Sequence, residues 1–331
     1  MEKLQQLDRF LSDKILWFTI ASLLLGILFC GPFSVLVPVT PAIFAVMTFI
    51  NTLGCSFRQI GHVAAHPVPV LVILALLHLV VPVLCLGLCT PLFPDNPLFT
   101  TGLVLNFVLP TGVVSLMWVT IGRGNLPLCL SALLLDTLLS PLVVPLSMKL
   151  LVGSMVVMDA SGMMKNLLFM VALPAALALL CHRIRGGQAA DHWKPRLSPF
   201  AKLLMFLIII SNATGVAPFL KAVTPTLLAV IAVLVGLSVF SYFLGWFISH
   251  RLMRLDFPSV QTVTIVTGVR NISAGAVLAA QYFPADVLFP VAFAPIFTQI
   301  MLALTVKLLR STKAGQADQA AWEAESASAP Q

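Results

Sequence analysis

The sequence predicts an all-α polytopic membrane protein: ten transmembrane helices arranged as two inverted five-helix repeats, with the fourth and ninth discontinuous and crossing. Three observations carry this. Apolar residues make up 59% of the 331 positions and charged residues only 9%, against about 25% charged in an ordinary soluble domain. The apolar residues gather into runs of about 20, the length that crosses the hydrocarbon of a bilayer. Lysine and arginine are shared very unequally between alternate connections. So few charged side chains cannot cover a water-facing surface, and the net charge of +7 reports orientation rather than affinity for nucleic acid.

The elements follow in order. In residues 1–14, Leu4, Leu7, Phe10 and Leu11 recur at helical spacing, which predicts an amphipathic helix lying in the interface. The apolar run behind it is too long for a signal peptide. Crossing helices are expected at 15–36, 38–56, 68–92, 98–121, 126–152, 164–184, 199–220, 224–250, 258–281 and 285–310. The second ends in polar Asn51, Thr52, Cys55 and Ser56, and the ninth contains Arg270, Asn271 and several threonines. Residues 15–184 then hold the first repeat (spans 1–5) plus span 6, 185–198 a cytoplasmic loop, and 199–310 spans 7–10. The tail, 311–331, is rich in Ala, Ser, Gln and Glu without an apolar face and is expected to be disordered.

Orientation follows from the basic residues, because short basic loops stay cytoplasmic. Lys149, Lys165 and Lys221 fall on one side, fifteen others on the opposite side, and Arg270 inside a span. An even number of crossings with both termini in the cytoplasm, in the cell (inner) membrane, fits this split. The longest basic loop, His182 to Lys202, is taken to divide the spans into five and five, so that the second half enters the membrane upside down. Secondary transporters use such inverted repeats, with substrate sites near the midplane where discontinuous helices expose backbone.

The fourth span of each half fits that description. Asn106, Pro110, Thr111, Gly112 and Ser115 interrupt span 4; Thr267, Gly268, Arg270, Asn271, Ser273 and Gly275 interrupt span 9. Proline removes a backbone donor and glycine weakens a helix. The separation of Pro110 and Gly268 is close to the offset of roughly 150 residues between the first and sixth spans. Asn51 and Asn212 are a weaker echo of the same repeat.

Other chemistry is absent from the pattern. Cys30, Cys55, Cys85, Cys89, Cys129 and Cys181 lie mostly in apolar runs without CxxC spacing and read as small hydrophobes, so neither a disulfide framework nor a metal site is expected. No HExxH, GxSxG or nucleotide-binding pattern follows a suitable element, which argues against an enzyme, and no cofactor is expected.

The stretch PTGVVSLMWVTIGRGN, Pro110 to Asn125, resembles the PGGTxSNxxTxxAxGN pattern of the bile acid:sodium symporter family, and the continuation to DTLLSP, Asp136 to Pro141, aligns without a gap. GVRNISAGAVLA, Gly268 to Ala279, resembles that family's GxQNSGLA. The resemblance runs through nearly all ten spans. It implies a panel domain (spans 1, 2, 6 and 7), a core domain (spans 3–5 and 8–10) and an organic anion carried between them by alternating access. It also implies what is missing. Leu116 stands where the family has an asparagine sodium ligand, Cys129 and Leu133 where it has two hydroxyl ligands, Val266 where it has a glutamate and Arg270 where it has a glutamine. Ser115 alone is retained. Sodium is a hard cation held by oxygen, so the family's sodium sites are not carried over.

Three ionisable residues lie well inside spans: His78, Asp136 and Arg270. Each should face the protein interior and find a partner. Arg270 is expected to pair with Asp136 or with carbonyls of the break, as a fixed positive charge in place of sodium; His78 reads as a hydrogen-bonded interior histidine. The expected substrate site comprises Thr111, Gly112, Ser115, Thr267, Gly268, Arg270, Asn271 and Ser273, with Asp136 and Arg270 as coupling or charge pair and the proton as alternative coupling ion. A proton-coupled or uncoupled carrier resembling auxin-efflux proteins, or a non-transporting sensor, is the competing reading.

Overall fold

The computed structural model describes residues 2–55, 67–185, 192–220 and 224–328. Expectations for Ser56, Arg58, Lys221 and residues 186–191 of the loop 185–198 fall outside the described residues.

The described chain is helical throughout. Helix α1 (Glu2–Asp13) precedes α2 (Ile15–Leu28), α3 (Cys30–Thr52), α4 (Pro67–Leu92), α5 (Pro97–Val108), α6 (Val114–Ile121) and α7 (Leu126–Val152). Then come α8 (Ala160–Arg185), α9 (Lys194–Ala213), α10 (Pro225–Leu252), α11 (Phe257–Gly268), α12 (Ile272–Tyr282), α13 (Ala285–Ser311) and α14 (Lys313–Ser328). Eight runs are long and apolar enough to cross a membrane: α3, α4, α7, α8, α9, α10, α11 with α12, and α13. A ninth is counted if Gln6–Ser12 and Trp17–Leu28, bent by 74°, are one span. The outside carries large apolar side chains such as Leu28, Leu150 and Phe169, a surface suited to lipid. The protein is a multi-pass membrane protein.

Local chemistry sets many of the boundaries. Asn125 begins α7 by accepting the Leu128 N–H (3.0 Å), and Thr224 begins α10 by accepting that of Leu227 (3.3 Å); each is followed by a proline in the first turn. A polar side chain there satisfies a donor the helix cannot, and proline there costs none.

Three expectations are corrected. The first span ends at Leu28 rather than residue 36, because Gly31, Pro32 and Pro38 fall in the short turns that lead into the Thr40–Thr52 part of α3. The tail expected to be disordered is helical from Lys313 to Ser328: alanine and glutamine favour helix, and Thr312 caps it at the Gly315 N–H. The basic loop from His182 does not halve the ten expected spans, since six precede it; the midpoint falls between α7 and α8.

The helices pack in two sets joined by contacts of α8 with α7 and of α9 with α12. In one, α9 lies along α2 and α3, and α8 packs on α3. In the other, α10 packs on α11, α13 on α5 and α12, and α7 on α5 and α11. Glycine allows one of the closest approaches: a Cβ on Gly102 of α5 would lie 2.5 Å from the Val287 carbonyl of α13. Helix α1 rests on α9, with Leu11 buried beside Phe206 and Lys202 Nζ donating to Asp8 Oδ1 (2.6 Å) and Ser12 Oγ (2.6 Å).

Candidate functional site

The site is built on two interruptions. After α5 the chain is extended at Leu109 (ψ 145°), passes through Pro110 and resumes as α6 at Val114. After α11 it is extended at Val269 (φ −89°, ψ 142°) and resumes at Ile272, where Asn271 Oδ1 accepts the Ala274 N–H at 3.3 Å. These are the two breaks that the sequence predicts.

The breaks touch. Asn271 N donates to the Pro110 carbonyl (2.7 Å), and Thr111 Oγ1 donates to that of Val266 (3.1 Å). Gly112 is required at the crossing, because a Cβ there would lie 2.9 Å from the Arg270 carbonyl oxygen. Irregular backbone at membrane depth survives only inside protein or beside a cavity, and here each break supplies hydrogen-bond partners to the other.

Arg270 is 5% exposed and sits within this crossing. Its Nε donates to the Phe107 carbonyl (3.1 Å), and Nη1 donates to those of Thr267 (2.5 Å) and Val269 (3.1 Å). The guanidinium also lies 5.8 Å from the Phe107 ring centre, within the range of a cation–π contact. Of the two partners expected for Arg270, the carbonyls are the ones it takes. Nη2 is buried with no protein partner, so the fork expected to face a carboxylate is turned largely to backbone.

Asp136 is fully buried in α7 and is not ion-paired to Arg270. Its Oδ1 lies 2.5 Å from His78 Nε2, and its Oδ2 accepts the Thr111 N–H at 2.6 Å. The expected Asp136–Arg270 charge pair is thus corrected to two separate attachments: carbonyls already occupy the guanidinium, and an imidazole and an amide occupy the carboxylate. His78, read from the sequence as a hydrogen-bonded interior histidine, is that, and its partner is Asp136. The signal for the pairing was that an in-span carboxylate needs a partner.

A cavity of about 500 Å³ lies between the two helix sets. Met47, Thr48 and Asn51 of α3 and Ala201, Met205 and Ile209 of α9 face Gly112, Met117, Thr137, Asn271, Ser273 and Gln299 of the other set, and Asp8, Lys194 and Lys202 line it as well. Of the expected substrate residues, Gly112, Arg270, Asn271 and Ser273 line it. Thr111, Ser115, Thr267 and Gly268 do not. Ser115 Oγ donates to the Gly112 carbonyl (2.7 Å), which makes it a support of the first break. Gly268 lies against the Tyr242 ring, and Thr267 Oγ1 is buried without a protein partner. Thr48, Asn51, Thr137 and Gln299 join the site only through tertiary structure.

The resemblance sets Leu116, Cys129, Leu133, Val266 and Arg270 at the family's sodium positions. Leu133, Val266 and Cys129 are buried, Leu116 packs against the same core, and the Arg270 cation holds the carbonyls of the second break. Among the described residues no cluster of three His, Cys, Asp or Glu side chains is placed to hold a metal ion.

Residues 40–223 match the model of the sodium bile acid symporter family. The uncharacterized protein YbaS of Bacillus subtilis (strain 168) is 38% identical over 264 residues, 80% of this chain and 86% of that protein. The "uncharacterized sodium-dependent transporter YocS" of the same organism is 21% identical over 285 residues, 86% of each chain. The "probable sodium/metabolite cotransporter BASS1, chloroplastic" of Oryza sativa subsp. japonica is 26% identical over 185 residues, 56% of this chain and 44% of that protein. A family match over more than half of the residues, together with a relative of this identity along most of both lengths, places the chain in the sodium bile acid symporter family, whose members are transporters and not enzymes.

Proposed function

We propose that the protein is a secondary-active carrier of a small or medium-sized organic anion, working by alternating access between a panel domain (spans 1, 2, 6 and 7) and a core domain (spans 3–5 and 8–10). In this reading ten crossings form two inverted five-helix repeats in the cell membrane, with both termini cytoplasmic. The observation that carries it is the cavity of about 500 Å³ between the two helix sets, walled on one side by the crossed breaks. Its volume suits a small-molecule site, with apolar side chains and a few convergent polar groups. Asn271, Ser273, Thr48 and Asn51 offer hydrogen bonds, the starts of α6 and α12 bring partial positive charge, and Arg270 adds a full one from behind the backbone. Arg270 acts here as a tethered cation: it neutralises the carbonyls of the break permanently, where relatives with an oxygen-rich site take up an ion reversibly.

Transport is therefore expected not to require sodium. Uptake into liposomes, measured with and without sodium and pH gradients, tests this; saturable dependence on external sodium with no response to other cations refutes it. A binding screen of organic anions against neutral analogues tests the substrate class, with wild type and Arg270→Gln compared. Preference for the charged forms, weakened by the substitution, is expected. Equal affinity for charged and neutral forms, unchanged in the variant, would leave Arg270 a purely structural residue.

Asp136→Asn is expected to impair coupling more than folding. The amide oxygen still accepts the Thr111 N–H, whereas the negative charge against His78 is gone. Unchanged pH-driven flux in a well-expressed variant contradicts it.

A further inference from the structure

The carrier reading gives Arg270 a task and leaves His78 without one. His78 stands in the middle of a π-helical turn, Leu76–Val80, inserted into α4. Wide turns of this kind recur at functional sites. Its Nε2 is 2.5 Å from Asp136 Oδ1, and its other ring nitrogen, Nδ1, is buried with no protein partner although the side chain is 10% exposed. A buried ring nitrogen without a partner is an unfilled hydrogen-bonding site. Asp136 is the only fully buried carboxylate among the described residues, and its second oxygen holds the Thr111 N–H of the first break.

We propose that His78 and Asp136 form a proton-binding site that balances the charge of an anion in the neighbouring cavity and transmits its protonation state to the first break through Thr111. This rests on the carrier reading and deepens it by naming the coupling ion and its seat. With His78 neutral, the buried charges of Arg270 and Asp136 cancel. Lys202 is paired with Asp8 and the Lys194 side chain lies against Gly54, past the end of α3, so a monoanion held beside the breaks leaves one negative charge uncompensated in a medium of low dielectric. One proton taken up at His78 Nδ1 makes the imidazole a cation and restores neutrality, while Nε2–H continues to donate to Asp136. Proton and anion then favour each other reciprocally, and the pair crosses as an electroneutral unit.

The surroundings support this assignment. The Arg270 guanidinium on the second break interacts with Asp136 and in turn with the Tyr242 phenol on α10; α7 also carries the buried Cys129 thiol and α4 itself those of Cys85 and Cys89, while α11 brings no titratable side chain. Helices α5 and α6 bring no titratable side chain, and α8 carries Lys165 near its start and Cys181, His182, Arg183 and Arg185 near its end. His78 is thus the imidazole in direct contact with a fully buried carboxylate among the described residues. The transmission step is equally specific. The carboxylate that faces His78 also accepts the first amide after Pro110, and the Pro110 carbonyl in turn accepts the Asn271 N–H of the second break. A change of charge on the imidazole alters the pull of Asp136 on Thr111, and through Pro110 reaches Asn271, which lines the cavity.

The test uses the full purified chain in lipid nanodiscs with the proton itself as probe. Histidine-labelled protein is followed by nitrogen NMR, with His78→Gln assigning the signal, and amide exchange is followed across residues 107–115. Across about pH 5 to 8 the His78 signal is expected to change protonation state, to respond differently in Asp136→Asn, and to be matched by a change in the protection of the Thr111 amide relative to its intrinsic exchange rate at each pH. A ring that keeps one protonation state throughout this range, or a response that Asp136→Asn leaves unmoved, overturns the proposal. The wild-type protection profile decides the matter even if a variant fails to fold, since a Thr111 protection factor that stays constant with pH has the same meaning. In proteoliposomes, labelled monocarboxylates supply the second arm. His78→Gln, whose amide still donates to Asp136, is expected to lose pH-driven accumulation by about tenfold or more; full accumulation in this variant contradicts the assignment. Titration without transport of any anion would defeat the carrier reading and retain the proton site, whereas transport without titration would do the opposite.

Discussion

Arg270→Met is expected to be among the most damaging single substitutions in the protein, lowering the unfolding temperature in detergent and abolishing transport. Two effects oppose one another. Removing the guanidinium relieves the cost of holding a charge at membrane depth, about 2.5 to 3.5 kcal/mol on insertion scales. It also leaves the Phe107, Thr267 and Val269 carbonyls without the donor they share, at about 1 to 3 kcal/mol for each orphaned buried group. Three orphaned acceptors with no water to turn to cost about 3 to 9 kcal/mol together, so the carbonyls outweigh the charge by up to a few kcal/mol. Arg270→Lys is expected to rescue only part of the loss, since a single ammonium replaces the planar donors that reach carbonyls on both breaks. Wild-type stability in Arg270→Met would show that the guanidinium contributes nothing to holding the crossing.

Gly112→Val is expected to force the two breaks apart. The added Cβ would meet the Arg270 carbonyl oxygen at 2.9 Å and the Val269 side chain at 3.2 Å. The first of these is backbone held by the crossing itself, so it cannot swing aside as a flexible side chain does. Overpacking of this type costs about 1 to 3 kcal/mol, and here the displacement falls on the cavity wall and on the Asn271–Pro110 hydrogen bond. Substrate affinity is therefore expected to fall by more than stability does. Binding measured beside thermal unfolding checks this, and wild-type affinity would show that the wall tolerates a larger spacing. At Gly275, by contrast, a Cβ would meet the fully buried Leu109 side chain rather than backbone.

Much of the architecture was legible because it follows from local chemistry. Runs of about 20 apolar residues can only be buried or face lipid, and prolines and glycines interrupt helices wherever they fall together. Pro110 with Gly112, and Gly268 with the polar residues after it, therefore located both breaks from composition alone. The tail was misread because the absence of an apolar face was weighed more heavily than the helix propensity of alanine and glutamine.

What the sequence determined by itself is a polytopic helical membrane protein with two interrupted helices and three ionisable side chains inside its spans. Only the tertiary structure decided how those three are satisfied. Asp136 takes His78, 58 residues away in the chain, and the Thr111 amide, while Arg270 takes backbone carbonyls of both breaks. The tertiary structure also decided that Gly112, Asn271 and Ser273 line the cavity while Thr111, Ser115 and Thr267 serve the breaks from behind. The reason is physical: hydrophobicity and helix breaking act within a few residues along the chain, whereas the partner of a buried charge is set by which helix is packed beside it, and the spacing of residues along the chain carries no record of that choice.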